Sequence, residues 1–196
     1  MADNVTRGYG LLEKFLSSKR AKIADSHIPD NLRDGKILDL GCGFYPYFLS
    51  AIEFKDKFGM NSDFSNEPIA GMNLIKSEFN VGAVLPFADS FFNVVTLLAV
   101  AEHLEPKVAI VLFQEVRRVL SPDGILIITV PWGKADLFFK FLSKIKFLSS
   151  VEVNDHRQFY NRSAIRNQLL LAGFEDGKIT TKKFELGLNL FVLVKK

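Results

Sequence analysis

The 196-residue chain predicts an α/β fold: a doubly wound, mostly parallel seven-stranded sheet with a C-terminal antiparallel hairpin strand. Three observations predict it. Segments with strand and helix patterns alternate along the chain. The middle strand segments are almost continuously apolar and rich in β-branched residues, as strands covered on both faces are. The last two strand segments have only a short polar connection, so they form a hairpin and one of them runs antiparallel.

Each element has its own signal. Residues 9–24 read as an amphipathic helix, with Leu12, Phe15, Leu16 and Ile23 near one face and Glu13, Lys14, Lys19 and Arg20 mostly off it. Pro29 and Arg33-Asp34-Gly35 mark a turn. Residues 36–40 are a short apolar run ending in glycines, a buried strand. Residues 47–54 look helical, and residues 57–62 form a second strand ending at Asp63. Ser65 then caps a helix through about Lys76, with Glu67 and Pro68 in its first turn. Residues 81–85 are a short strand and 86–90 a turn.

Residues 92–100 form a continuous apolar run rich in β-branched residues, a strand buried on both faces. Residues 106–120 are a helix, with Val108, Val111, Leu112 and Val119 at helical spacing. Ser121-Pro122-Asp123-Gly124 is a turn signal, followed by a buried strand over 125–130. Residues 135–149 form a very apolar helix. A helix over 163–172 is stopped by Gly173, and strands over 177–184 and 188–194 close the chain.

The chain shows no internal repeat and no linker rich in Pro, Gly or Ser, so residues 1–196 are expected to form one domain. The helices at 9–24 and 135–149 are expected to act as lid elements on it. A net charge of +3 does not suggest nucleic-acid binding, which concentrates Lys and Arg on one face. The one cysteine, Cys42, excludes an intramolecular disulfide. The first ten residues carry no apolar leader, and the run at 94–101 is far too short to span a bilayer. A cytoplasmic protein is expected. The 19 phenylalanines exceed a typical share, enough for a core and for an apolar pocket.

In a doubly wound sheet the ligand sits beyond the C-terminal ends of the strands. Asp39-Leu40-Gly41-Cys42-Gly43 falls at such an end, after the first strand. Gly41 and Gly43 lack a Cβ and let the backbone approach a ligand. Asp63 ends the next strand, 20 residues past Gly43, where a carboxylate can accept both hydroxyls of a ribose. Two cofactors share this layout. A dinucleotide fold wants G-x-G-x-x-G, whereas Phe44, Tyr45 and Pro46 follow Gly43, and that fold has no special use for an acid at position 39. Glycines in a strand-to-helix turn with no ligand at all are the third reading. Spacing alone leaves all three open.

Further segments match a known family in order and spacing: Asp63-Phe64-Ser65; Leu85-Pro86-Phe87 running on to Val95; Ala101-Glu102-His103-Leu104-Glu105-Pro106; Arg118-Val119-Leu120 with the turn through Gly124; His156 to Tyr160; and Ala172-Gly173-Phe174. Over roughly residues 33–175 the chain resembles the small-molecule branch of the class I S-adenosylmethionine-dependent methyltransferases. The resemblance implies a Rossmann-like methyltransferase fold and S-adenosylmethionine as cofactor. It implies that Gly41, Cys42 and Gly43 line the methionine part and that Asp39 holds the turn. It also implies that Asp63 binds the ribose, that Phe64 packs on the adenine, and that Ala99 places its backbone near the methionyl amine.

The chain departs from the family at three positions. Tyr45 stands at the usual third glycine, Val81 at a frequent aspartate, and Asn93 at the aspartate of the "FDvv" segment. The alternative these departures raise is a non-catalytic protein of the same fold that acts by binding.

Methyl transfer is a direct displacement that needs in-line geometry and a dry pocket, and an oxygen acceptor also needs a general base. His103 and His156 are the candidate catalytic residues. His103 could equally fix Glu102 or a backbone carbonyl, and His156 could cap the next helix. No metal ligand is expected. The helix at 135–149 carries Phe138, Phe139, Phe141 and Phe147 among Lys140, Lys144 and Lys146, with apolar residues nearly all round it. That exceeds one core-facing stripe. It points to a small, hydrophobic or lipid-linked acceptor and to peripheral membrane or lipid contact.

Overall fold

The computed structural model describes residues 11–64, 69–78, 84–133 and 160–196. The described elements begin with α1 (Leu11–Asp25), β1 (Lys36–Leu40), α2 (Tyr47–Ala51), β2 (Asp56–Asn61) and β3 (Met72–Lys76). They continue with β4 (Phe92–Leu98), α3 (Pro106–Val119), β5 (Leu120–Pro131), α4 (Arg162–Leu171), β6 (Ile179–Phe184) and β7 (Asn189–Lys195). The strands form one seven-stranded sheet in the order β3-β2-β1-β4-β5-β7-β6. Strands β1 to β5 pair in parallel, and β7 runs antiparallel to both its neighbours. The expected doubly wound sheet with an antiparallel hairpin strand is what the chain forms.

The two-residue period of a strand sends alternate side chains to opposite faces. Val95, Leu97, Leu126, Ile128, Leu190 and Val192 pack on one face against Leu112, Phe113 and Val116 of α3 and Ile165 and Leu169 of α4. Ile37, Val94, Ile125, Ile127 and Phe191 pack on the other face against Ala21 and Ala24 of α1 and Phe48 and Leu49 of α2. Burying one such Leu or Phe fully is worth about 1.5–3 kcal/mol.

The helix expected up to Lys76 is corrected: residues 72–76 are β3, reached through a turn in which Met72 N donates to Ile69 O. Of the strand expected at 81–85, only Val84 and Leu85 are among the described residues, and they lie outside any strand. Residues 65–68 and 79–83 lie outside the described residues. A short apolar run reads equally as strand or helix, and the packing decides. Gly59 of β2 has no Cβ, and one placed there would meet Leu74 Cδ2 and Cys42 Sγ at 2.9 Å each. Gly59 thus makes room for the side chain of its register partner Leu74, and pairing with β2 makes 72–76 a strand.

Smaller differences follow similar lines. Helix α2 ends at Ala51 because Ile52 is extended (φ −113°). Phe15 is exposed, and α1 instead buries Ala21 and Ala24. Residues 121–124 do not end β5. They bulge out of it between the Phe92–Leu120 and Val94–Ile125 pairs. The helix expected at 135–149 lies outside the described residues.

The Leu85 and Arg118 segments meet at the N-terminal end of β4. Arg118 donates to Leu85 O (3.0 Å), Phe87 O (2.9 Å), Asp89 Oδ1 (2.8 Å) and Glu115 Oε2 (2.8 Å). Glu115 Oε2 in turn accepts from Leu85 N at 2.9 Å. Phe58, Phe87, Phe91 and Phe92 pack ring to ring nearby, with centroids 4.7–5.9 Å apart. Part of the phenylalanine surplus is therefore core. Asn93 also has a structural partner: its Oδ1 accepts from Lys36 N at 2.9 Å, and a Cβ on Gly35 would collide with it.

Candidate functional site

The sheet order reverses between β1 and β4, so a crevice opens beyond the C-terminal ends of β2, β1 and β4. Most of the residues singled out by the sequence lie at those three ends. The chain leaves β1 through Gly41 (φ 74°) and Gly43 (φ 81°), both in the left-handed region that glycine enters without strain. The backbone N–H groups of Gly41 and Cys42 donate to Met60 O at 2.7 and 3.3 Å, tying the turn to β2.

The two glycines are not equivalent. A Cβ on Gly41 would lie 2.3 Å from Val100 Cγ2. Its missing side chain is replaced by protein. A Cβ on Gly43 would meet only Tyr45 O, at 3.6 Å. The open face of the turn is at Gly43. Tyr45 itself is 57 % exposed, and only its carbonyl is near that opening.

Asp39 is 3 % exposed, on the face of the sheet that Ile37 and Val94 share. Thr96, its register partner on β4, lies with Oγ1 2.6 Å from Asp39 Oδ1. Burial pushes the Asp39 carboxyl up to about 7, and the Thr96 hydrogen bond only partly offsets this. Such a carboxyl gains most from a cation placed beside it. Cys42 is buried, and that burial and then Asp39 hold its thiol well above the usual range, so it is neutral.

Asp63 lies just beyond β2 and is exposed. Asn61 Nδ2 donates to its carbonyl at 2.6 Å, and Lys76 Nζ lies 3.1 Å from its Oδ1. The Lys76 hydrogen bond and charge hold its carboxyl below the usual carboxylate range. Phe64 follows, half-buried. Ala99 adopts φ 59°, a conformation that costs a non-glycine residue about 1–2 kcal/mol. Its N–H is drawn to the Thr129 carbonyl (2.9 Å) and hydroxyl (3.2 Å) of β5. His103 is half-buried in the short turn Ala101–His103, and Glu102 beside it is buried. His156 lies outside the described residues.

The structure thus brings Asp39, Gly41, Cys42, Gly43, Asp63, Phe64, Ala99 and His103 to one edge. Thr96, Val100 and Lys76 were not singled out by the sequence. Thr96 had a signal, as a polar residue inside an apolar run. Lys76 had none, because its segment read as helix.

The chain matches the family described as "Methyltransferase domain" over residues 11–178. It belongs to that family. The methyl donor of the class I enzymes, S-adenosylmethionine, is therefore the group the site has to accommodate. The residues fit it: an open glycine face at Gly43, a buried carboxyl at Asp39 suited to a cation, and a polar carboxylate at Asp63. This methyltransferase is also similar in fold to solved S-adenosylmethionine-dependent methyltransferases. One from Mesorhizobium loti is 16 % identical with a TM-score of 0.67, covering 92 % of this chain and all of that one. One from Archaeoglobus fulgidus is 16 % identical with a TM-score of 0.68, covering 92 % and 94 %. One from Thermotoga maritima is 18 % identical with a TM-score of 0.67, covering 93 % and 90 %. No curated protein sequence matches the chain. Among the described residues, no helix is long and apolar enough to cross a membrane, and no His, Cys, Asp and Glu cluster could hold a metal.

Proposed function

We propose that this methyltransferase moves the methyl group of S-adenosylmethionine to a small, hydrophobic or lipid-linked acceptor at the crevice beyond β1, β2 and β4. The observation that carries this reading is the convergence of Asp39, Gly43, Asp63 and Ala99 on the ends of three adjacent parallel strands. Gly41, Cys42 and Gly43 border the methionine part, with Gly43 giving the closest approach. Asp39 holds the turn and offers negative charge to the amine. Ala99 places its backbone near that amine, with its N–H engaged by Thr129. Asp63 accepts from the ribose hydroxyls, and Phe64 packs on the adenine.

When bound, the cofactor supplies an electrophilic methyl on a positively charged sulfur. The chain supplies position, exclusion of water and a proton acceptor. His103 and His156 are the proposed bases. The chain acts as one domain, with α1 and the 135–149 segment covering the crevice. Support for the second cover comes from its flanks. Trp132 and Tyr160 form a parallel bridge, and Gly133 N donates to Tyr160 O at 2.9 Å. Both ends of the intervening segment therefore start from the edge where β5 ends. Tyr160 also brings its hydroxyl to 3.5 Å from Ala101 O, beside the His103 turn.

The acceptor class is tested by incubating the protein with methyl-labelled S-adenosylmethionine and either a lipid extract or an aqueous metabolite extract. Label is expected in the organic phase. Label confined to aqueous products contradicts the lipid-linked acceptor.

A further inference from the structure

The geometry points to Lys76 as a positioning residue that orients the Asp63 carboxylate for the cofactor's ribose; this rests on the ribose role proposed above. Asp63 stands beyond the end of β2, with no strand pairing of its own. A lone exposed carboxylate there would rotate freely, and binding a diol would cost that freedom. Two neighbours restrain it. Asn61, the last residue of β2, holds the Asp63 carbonyl at 2.6 Å. Lys76, the last residue of β3, places Nζ 3.1 Å from Oδ1.

The placement of Lys76 follows from the sheet. Asn61 and Lys76 are register partners, and Ser77 N donates to Asn61 O at 2.9 Å, so the ends of β2 and β3 stay together. The ammonium takes up one acceptor position of Oδ1 and leaves the rest of the carboxylate, Oδ2 included, for the two ribose hydroxyls. The pair is exposed, 69 % at Lys76 and 56 % at Asp63, so its effect is modest. A competing role is a latch, in which Lys76 must leave Asp63 before the ribose can bind. The two roles predict opposite signs.

Calorimetric titration separates them, using S-adenosylhomocysteine and its 2′-deoxyribose analogue as probes. For Lys76→Met the dissociation constant for S-adenosylhomocysteine is expected to rise about fivefold, the scale of an exposed charge pair. The deoxy analogue, which cannot present both hydroxyls, should change by about twofold or less. Lys76→Arg should restore wild-type binding, and the ligand-free melting temperature of both variants should match the wild type. Unchanged or tighter binding in Lys76→Met overturns the inference, and so does equal weakening of both probes. If the wild-type protein binds neither probe, the cofactor reading itself fails and this inference fails with it.

Discussion

The Thr96 hydroxyl lies 2.6 Å from the Asp39 carboxylate, across the β1–β4 pair at the point where the sheet order reverses. The contact joins two strands on the sheet face that also carries Ile37, Val94 and Ile127. It puts a titratable group in an apolar layer, directly before the glycine turn.

That placement has a pH signature. Asp39 titrates near 3.8 when unfolded and at about 7 when folded. Between those values the folded state binds the extra proton, so stability falls as pH rises from about 4 to about 7 and stays low above it. The penalty approaches about 4 kcal/mol at full ionisation. Asp39→Asn keeps a partner for Thr96 and removes the penalty. It should raise the melting temperature at pH 8 and leave it nearly unchanged at pH 4, while weakening cofactor binding. Equal shifts at both pH values in thermal denaturation would show that Asp39 does not titrate in this window.

The glycines give a paired prediction. Gly41→Ala meets Val100 at 2.3 Å in a left-handed backbone and should destabilise the fold by about 2–4 kcal/mol. Adding Val100→Ala should recover part of that loss. Gly43→Ala meets only Tyr45 O, at an ordinary contact distance of 3.6 Å, and should cost only about 1–2 kcal/mol of backbone strain. Its larger effect should be on cofactor affinity. Urea denaturation and ligand titration of the same three proteins distinguish the cases.

Asp63→Ala should weaken S-adenosylmethionine binding at least about tenfold through lost charge-assisted bonds. A dissociation constant equal to the wild type would show that Asp63 does not hold the ribose.

Arg118 should matter to the fold and not to the site. It joins Leu85, Phe87, Asp89 and Glu115 at the far end of β4. Arg118→Met leaves the Leu85 and Phe87 carbonyls and Glu115 short of a partner and should cost about 2–3 kcal/mol. Cofactor affinity of the folded fraction should be unchanged in titration.

Much of this was legible in the chain itself. The nearly continuous apolar runs at 92–98 and 125–130, the glycines after Asp39, and the short connection before Asn189 carry the sheet and its hairpin. The edge beyond β2 was not legible. Ser65, Glu67 and Pro68 resemble a helix start, and the following 72–76 run is too short for its period to decide between helix and strand. What decides is its in-register parallel pairing with β2, a tertiary fact. Because β3 was misplaced, Lys76 was invisible as a neighbour of Asp63. The Leu85 and Arg118 segments were recognisable as motifs, yet nothing in their spacing said that they bind each other rather than a ligand.

The central claim is that the edge formed by Asp39, Gly43, Asp63 and Ala99 holds S-adenosylmethionine. Isothermal titration of the purified full-length chain with S-adenosylmethionine, and in parallel with NAD, tests it most directly. The account predicts saturable one-to-one binding of S-adenosylmethionine and none of NAD. No saturation at millimolar S-adenosylmethionine, or tighter binding of NAD, would contradict it.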